Sequence, residues 1–207
     1  MAGIKIRDIK RKDFSFKPLP MEIKYEMSFI TGKSRAIGNI YDGFKMSEVY
    51  RKIIGEGEKN MEHCHIIFTN RLFATWDEVD KRYHLRVSVY SVPSIIFLSG
   101  IVEAPVKPRE YYIELQMGIP RETLKHIYKG RYIDYGDERM TDVMKGYVLQ
   151  AIIFHSTGDA FCNDRDCRLF NAHWQEEIIN SQLKGDYEVC PFHKKIIEKI
   201  NEFMEEI

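Results

Sequence analysis

The 207-residue chain balances 31 Lys+Arg against 31 Asp+Glu, with 44% apolar and 30% charged residues. That composition excludes a disordered chain and offers no basic block with which to hold a nucleic-acid backbone or an anionic membrane. The longest apolar runs, VPSIIFLSGIV and VLQAIIF, are too short to span a bilayer, and MAGIKIRDIKRKDF carries charges where a signal peptide needs its apolar stretch, so the expected compartment is the cytoplasm.

No repeat, low-complexity tract or long linker divides the sequence, and its length suits one α+β domain over 1–207, strand-rich over 1–104 and helical over 105–207. Residues 1–40 read as irregular, with FKPLP extended. Met46, Val49, Tyr50, Ile53 and Ile54 stand at helical spacing, and GEGEKN ends that helix. HCHIIFTN reads as a buried strand and YHLRVSVYS as an alternating one, with TWDEVDKR supplying a charged turn between strands. SIIFLSGIV has the continuous apolar character of a central strand.

The helical period returns after Pro105. Pro108 opens and Gly118 closes one helix, and Pro120 and Gly130 punctuate the next. The strongest helix is expected from Asp137 to Ser156, with Met140, Val143, Met144, Tyr147, Val148, Ala151, Ile152 and His155 on one broad apolar face and Gly158 as its stop. Two more are expected over Asp164–Leu183 and Pro191–Phe203.

The chemistry concentrates in HSTGDAFCNDRDCRLFNAHW, residues 155–174, and in CPFH, which starts at Cys190. In a reducing compartment, three late cysteines read as metal ligands rather than disulfide partners. Cys64 is expected to pack as a small buried hydrophobe. Cys162 and Cys167 form one short-spaced pair, and Cys190 with His193 forms a second, the pattern of a closed, structural tetrahedral zinc site. His173 is the substitute fourth ligand. Such a site leaves no position for substrate, so catalytic zinc would need ligands of its own.

Segment 151–193 resembles the archaemetzincins, zinc peptidases with the motif H-E-x-G-H-x-x-G-L-x-H-C-x4-C-x-M and a later C-x-x-C. The resemblance places His155 on the second histidine of the catalytic motif and Gly158 on its turn glycine. Cys162 and Cys167 fall on the first cysteine pair, and Cys190 and His193 on the second, with histidine replacing the last cysteine. Ala151 stands where the first zinc histidine belongs, Ile152 where the general-base glutamate belongs, Phe161 at the third histidine and Leu169 at the methionine. None of these can bind zinc or move a proton as the motif residue would. SGIVEAPVKPREYY is similar to a group of archaeal proteins described as metallopeptidases. The resemblance implies a metzincin-like fold in which a mixed sheet precedes the motif helix.

Other candidates have plainer readings. His63 and His65 have a spacing that can bind zinc, but such histidines more often satisfy their nitrogens locally. Asp159 reads as a turn aspartate. Glu103 and Glu110, with Arg109, suit a cleft or ordinary surface ion pairs. Two functions follow. One is a non-catalytic relative of zinc peptidases with one structural Zn²⁺ and a peptide or protein partner. The other is a hydrolase whose site is rebuilt around His155. Metal stoichiometry and a second His/Asp/Glu cluster near His155 discriminate between them.

Overall fold

A computed structural model describes residues 40–186 and 188–205. The expected FKPLP segment lies outside them. Strand β1 (Ile40–Asp42) runs directly into helix α1 (Gly43–Arg51). The carboxylate of Asp42 caps that helix by accepting the Phe44 and Lys45 amides, each at 3.0 Å. Strands β2 (Ile66–Thr69), β3 (Leu72–Asp77), β4 (Arg82–Arg86), β5 (Ser88–Val89) and β6 (Ser94–Phe97) follow.

These strands form two mixed three-stranded sheets, ordered β1-β3-β4 and β2-β6-β5, where the sequence suggested one. In each, one neighbour is parallel and the other antiparallel: β1 and β4 flank β3, and β2 and β5 flank β6. The alternating stretch YHLRVSVYS is what divides them. Arg86 pairs with Phe73 in the first sheet, whereas Ser88, two residues on, pairs with Ile96 in the second. At the junction, the Val87 carbonyl accepts the Phe97 amide.

The apolar run SIIFLSGIV is central only as far as Phe97. Its partner strand β2 ends at Thr69, opposite Phe97, so the next backbone groups have no ladder to join. They satisfy themselves as helix α2 (Leu98–Glu103). Strand β6 is buried on both faces. Ile95 and Phe97 join Tyr50, Phe73 and Val89 beneath α1, and Ile96 faces the opposite core of Ile101, Val143, Tyr147 and Ile178.

Helices α3 (Arg109–Gln116) and α4 (Arg121–Ile127) begin after Pro108 and Pro120, as their punctuation predicts. They enclose a separate cluster of Tyr111, Leu124, Tyr128 and Tyr132. The long helix α5 (Met140–Thr157) ends where Gly158 takes the left-handed conformation at φ 81°. The helix expected over Asp164–Leu183 is much shorter: α6 (Gln175–Ile179), continued by one π-helical turn, Asn180–Lys184. Backbone groups before Gln175 are spent on tertiary partners instead. The Cys162 amide donates to the Leu169 carbonyl, Arg168 to Glu188, and Val106 to His173. Helix α7 (Pro191–Glu205) starts at its proline and lays Ile196, Ile197 and Ile200 against the cluster that holds Ile153 of α5, Cys167, Leu169 and Cys190. The architecture is α+β, strands first and helices later. No helix among the described residues is long and apolar enough to cross a membrane.

Candidate metal centre

The loop after α5 and the start of α7 meet. Gly158 turns the chain, Ala160 is buried, and a short bridge between Cys162 and Phe170 closes the loop so that Cys162 and Cys167 point the same way. Pro191 starts α7 immediately after Cys190, bringing His193 back over the Cys190 thiol one turn later.

One donor atom from each of Cys162, Cys167, Cys190 and His193 lies within 4.8 Å of the others. The Cys162 and Cys190 sulfurs are 3.9 Å apart. Four ligands around zinc at about 2.3 Å place sulfurs about 3.8 Å apart. The His193 Nδ1 is 3.1 Å from the Cys190 sulfur and 4.0 Å from that of Cys167, bracketing the corresponding nitrogen–sulfur edge of about 3.6 Å. These distances and the soft donor set fit a tetrahedral divalent ion.

The surroundings support the same chemistry. Backbone amides approach two of the sulfurs at 3.4 Å, Asp164 toward Cys162 and Cys190 toward Cys167, as donors that favour thiolates. Burial pushes the thiols of Cys162 and Cys167 up from their ordinary range, and the neighbouring Cys190 sulfur adds to this. The thiols of Cys162 and Cys167 hold their protons unless a cation replaces them. Burial lowers the pKa of His193, opposed by nearby Asp159, which keeps the imidazole neutral and able to lend a lone pair. Ile153, Leu169, Val189 and Ile196 pack around the cluster.

The fourth donor in the cluster is therefore His193, not His173. His173 is exposed; its amide donates to Glu177, and its carbonyl is paired with Val106. His155 does not join the cluster. Its Nε2 is 2.8 Å from the Met61 carbonyl, so the ring ties α5 to the loop before β2. Among the described residues, no His, Asp or Glu group that could hold a metal gathers around His155. Of the motif positions on either side, Ala151 is fully buried, and Phe161 packs edge-on to Tyr90.

The remaining candidates disperse. His63 and His65 precede β2 rather than lying within it, and both find local partners, the Asn60 side chain and the Glu58 carbonyl. Cys64 between them is exposed, correcting the expectation of a buried hydrophobe, because the chain has not yet entered the strand. Glu110 faces Arg131 at 3.9 Å within an exposed network that includes Glu176, an ordinary surface pairing. A second carboxylate–histidine group, Asp77, Asp80 and His84, sits at the β3–β4 turn. Its groups already serve the hairpin: Asp77 accepts the Val79 and Asp80 amides, and Asp80 pairs with His84 at 2.9 Å.

Residues 1–200 match one family model, described as the Probable metallopeptidase family (DUF6775). The chain belongs to that family. The match to the Probable metallopeptidase family takes in the strands, the motif helix and all four donors of the cluster. The chain matches no curated protein and no solved structure.

Three buried glutamines that sequence reasoning passed over hold this part of the fold. Gln150 donates to the Arg168 and Phe170 carbonyls and accepts the Tyr90 hydroxyl. Gln182 donates to the same Arg168 carbonyl at 2.7 Å. Gln175 accepts the Ile133 amide and donates to the Ile101 carbonyl. The position of Gln150, seven residues after Val143 and three after Tyr147, was the available signal: it lies on the buried stripe of α5.

Proposed function

We propose that this chain is an archaemetzincin-like, zinc-binding protein of the cytoplasm that engages a peptide or protein partner without cleaving it. Cys162, Cys167, Cys190 and His193 hold one structural Zn²⁺. The observation that carries this reading is the convergence of those four donors at tetrahedral spacing within an apolar shell. The family membership places the chain among metallopeptidase-like proteins. Ala151, Ile152 and Phe161, at positions where the archaemetzincin motif carries two zinc histidines and the general base, support the loss of hydrolysis. So does the use of the His155 ring nitrogen by the Met61 carbonyl.

When bound, the ion would cross-link the loop after α5 to the first turn of α7. Sites of this kind supply roughly 10–16 kcal/mol of binding free energy, most of which is folding energy. The test is metal content per chain, by elemental analysis of tag-free protein purified without chelator, alongside a peptidase assay. One zinc that leaves only on unfolding, with no cleavage, is the expected result. A second, easily removed metal accompanied by cleavage would replace this reading with that of an active hydrolase.

A further inference from the structure

The Cys/His cluster opens onto a depression of about 420 Å³. Its lining includes Cys162, Cys190 and His193 of the cluster together with Phe161, Phe192, Asp159 and Asp164. Both phenyl rings are unusually open, Phe161 at 40% and Phe192 at 68% of full exposure. The Phe192 ring meets His193 edge-on, with centroids 5.0 Å apart, so the aromatic wall is set directly by a metal-site residue. Asp159 is fixed in its turn by accepting the Phe161 amide at 3.0 Å.

The charges at this depression have one sign. Its lining includes two carboxylates and no lysine or arginine, the nearest basic residues of α7, Lys194 and Lys195, falling outside it. A divalent ion on three thiolates and a neutral imidazole adds one further negative charge. Aromatic faces and the Asp159 carboxylate around a half-open space suit a cation carried on an apolar stem, because the stem covers the rings while the charged head meets Asp159.

We propose that this depression receives an arginine or lysine side chain of the partner peptide, held between the aromatic wall and Asp159. The inference rests on the peptide-binding reading above and names the residue class that the site selects.

The experiment is selection of a randomised heptapeptide library against the full-length zinc-loaded protein and, in parallel, against Asp159→Asn and Phe192→Ala. Both variants are first shown to retain one zinc. Asparagine keeps the oxygen that accepts the Phe161 amide, so Asp159→Asn removes charge without removing the turn. The expected result is enrichment of arginine or lysine at one position. A selected peptide should bind about five- to tenfold more weakly once its basic residue is replaced by citrulline or norleucine, and the two variants should lose that discrimination. Enriched peptides without a basic residue, or discrimination unchanged in Asp159→Asn, would overturn this inference and leave peptide binding standing. No enrichment of any sequence would overturn both.

Discussion

Gln182 occupies the space that Gly146 leaves bare. A Cβ at Gly146 would fall 1.6 Å from the Gln182 Oε1, while the Nε2 of the same carboxamide donates to the Arg168 carbonyl at 2.7 Å. Arg168 follows Cys167 directly, so a glycine in the middle of α5 fixes the distance between that helix and the metal loop.

Two opposing effects decide the outcome of Gly146→Ala. Helix propensity alone would stabilise α5 by about 1 kcal/mol. Displacing a buried side chain and its hydrogen bond costs about 2–4 kcal/mol, so the net expectation is a loss of about 1–3 kcal/mol. Denaturant unfolding of the two proteins measures it. Equal or greater stability in the alanine variant would mean that Gln182 moves aside freely.

Cys162→Ser and Cys190→Ser should each abolish stoichiometric metal and destabilise the packing of α7 on α5 by several kcal/mol, because metal affinity is folding energy in a closed site. Thermal unfolding with and without chelator is the measurement. The wild type should lose stability on chelation, and the variants should be insensitive to it. Unchanged melting temperatures with metal still bound would remove the assignment.

His155→Ala should behave differently. The ring contributes one hydrogen bond to the Met61 carbonyl and its own packing, so the expected cost is about 1–2 kcal/mol with metal content unchanged. Loss of a metal ion from this variant would revive a second site on α5.

A pH dependence comes from Asp137, just before α5. Hydrogen bonds from the Arg139 guanidinium, at 2.7 and 3.0 Å, hold its carboxyl below the usual aspartate range, against a smaller opposing effect of burial. The same guanidinium reaches the Gly130 and Tyr132 carbonyls. With its pKa depressed in the folded state, the carboxylate gives its full stabilisation above the unfolded value near 4, and loses it as pH falls through the lower, folded value. Asp137→Asn should therefore cost about 1–2 kcal/mol near neutrality, and the two proteins should converge in the acid limb of their stability curves. A difference that persists at acid pH would mean that the carboxylate charge is not what Asp137 contributes.

Much of the candidate metal centre was legible because its information is local. The Cys162/Cys167 spacing, the Gly158 stop and the Pro191 start set the geometry of each half within a few residues, and the fold had only to bring the halves together. The end of α5 at Gly158 was readable for the same reason, whereas its start lies at Met140 rather than Asp137. The stretch from Asp164 to Trp174 was misread as helix because its backbone partners are far away in the chain, at Val106 and Glu188.

By itself, the sequence determined that strands precede helices, which helix ends proline and glycine mark, and which four residues pair at short spacing in the late Cys/His segments, since each follows from residue type and short-range spacing. Only the tertiary structure decided the rest. It split the strands into two sheets at Val87, chose His193 over His173, tied His155 to the Met61 carbonyl, and buried Gln150, Gln175 and Gln182. Each of those outcomes depends on which distant backbone group a side chain or strand edge meets, and buried polar groups accept the partner that the packed fold supplies.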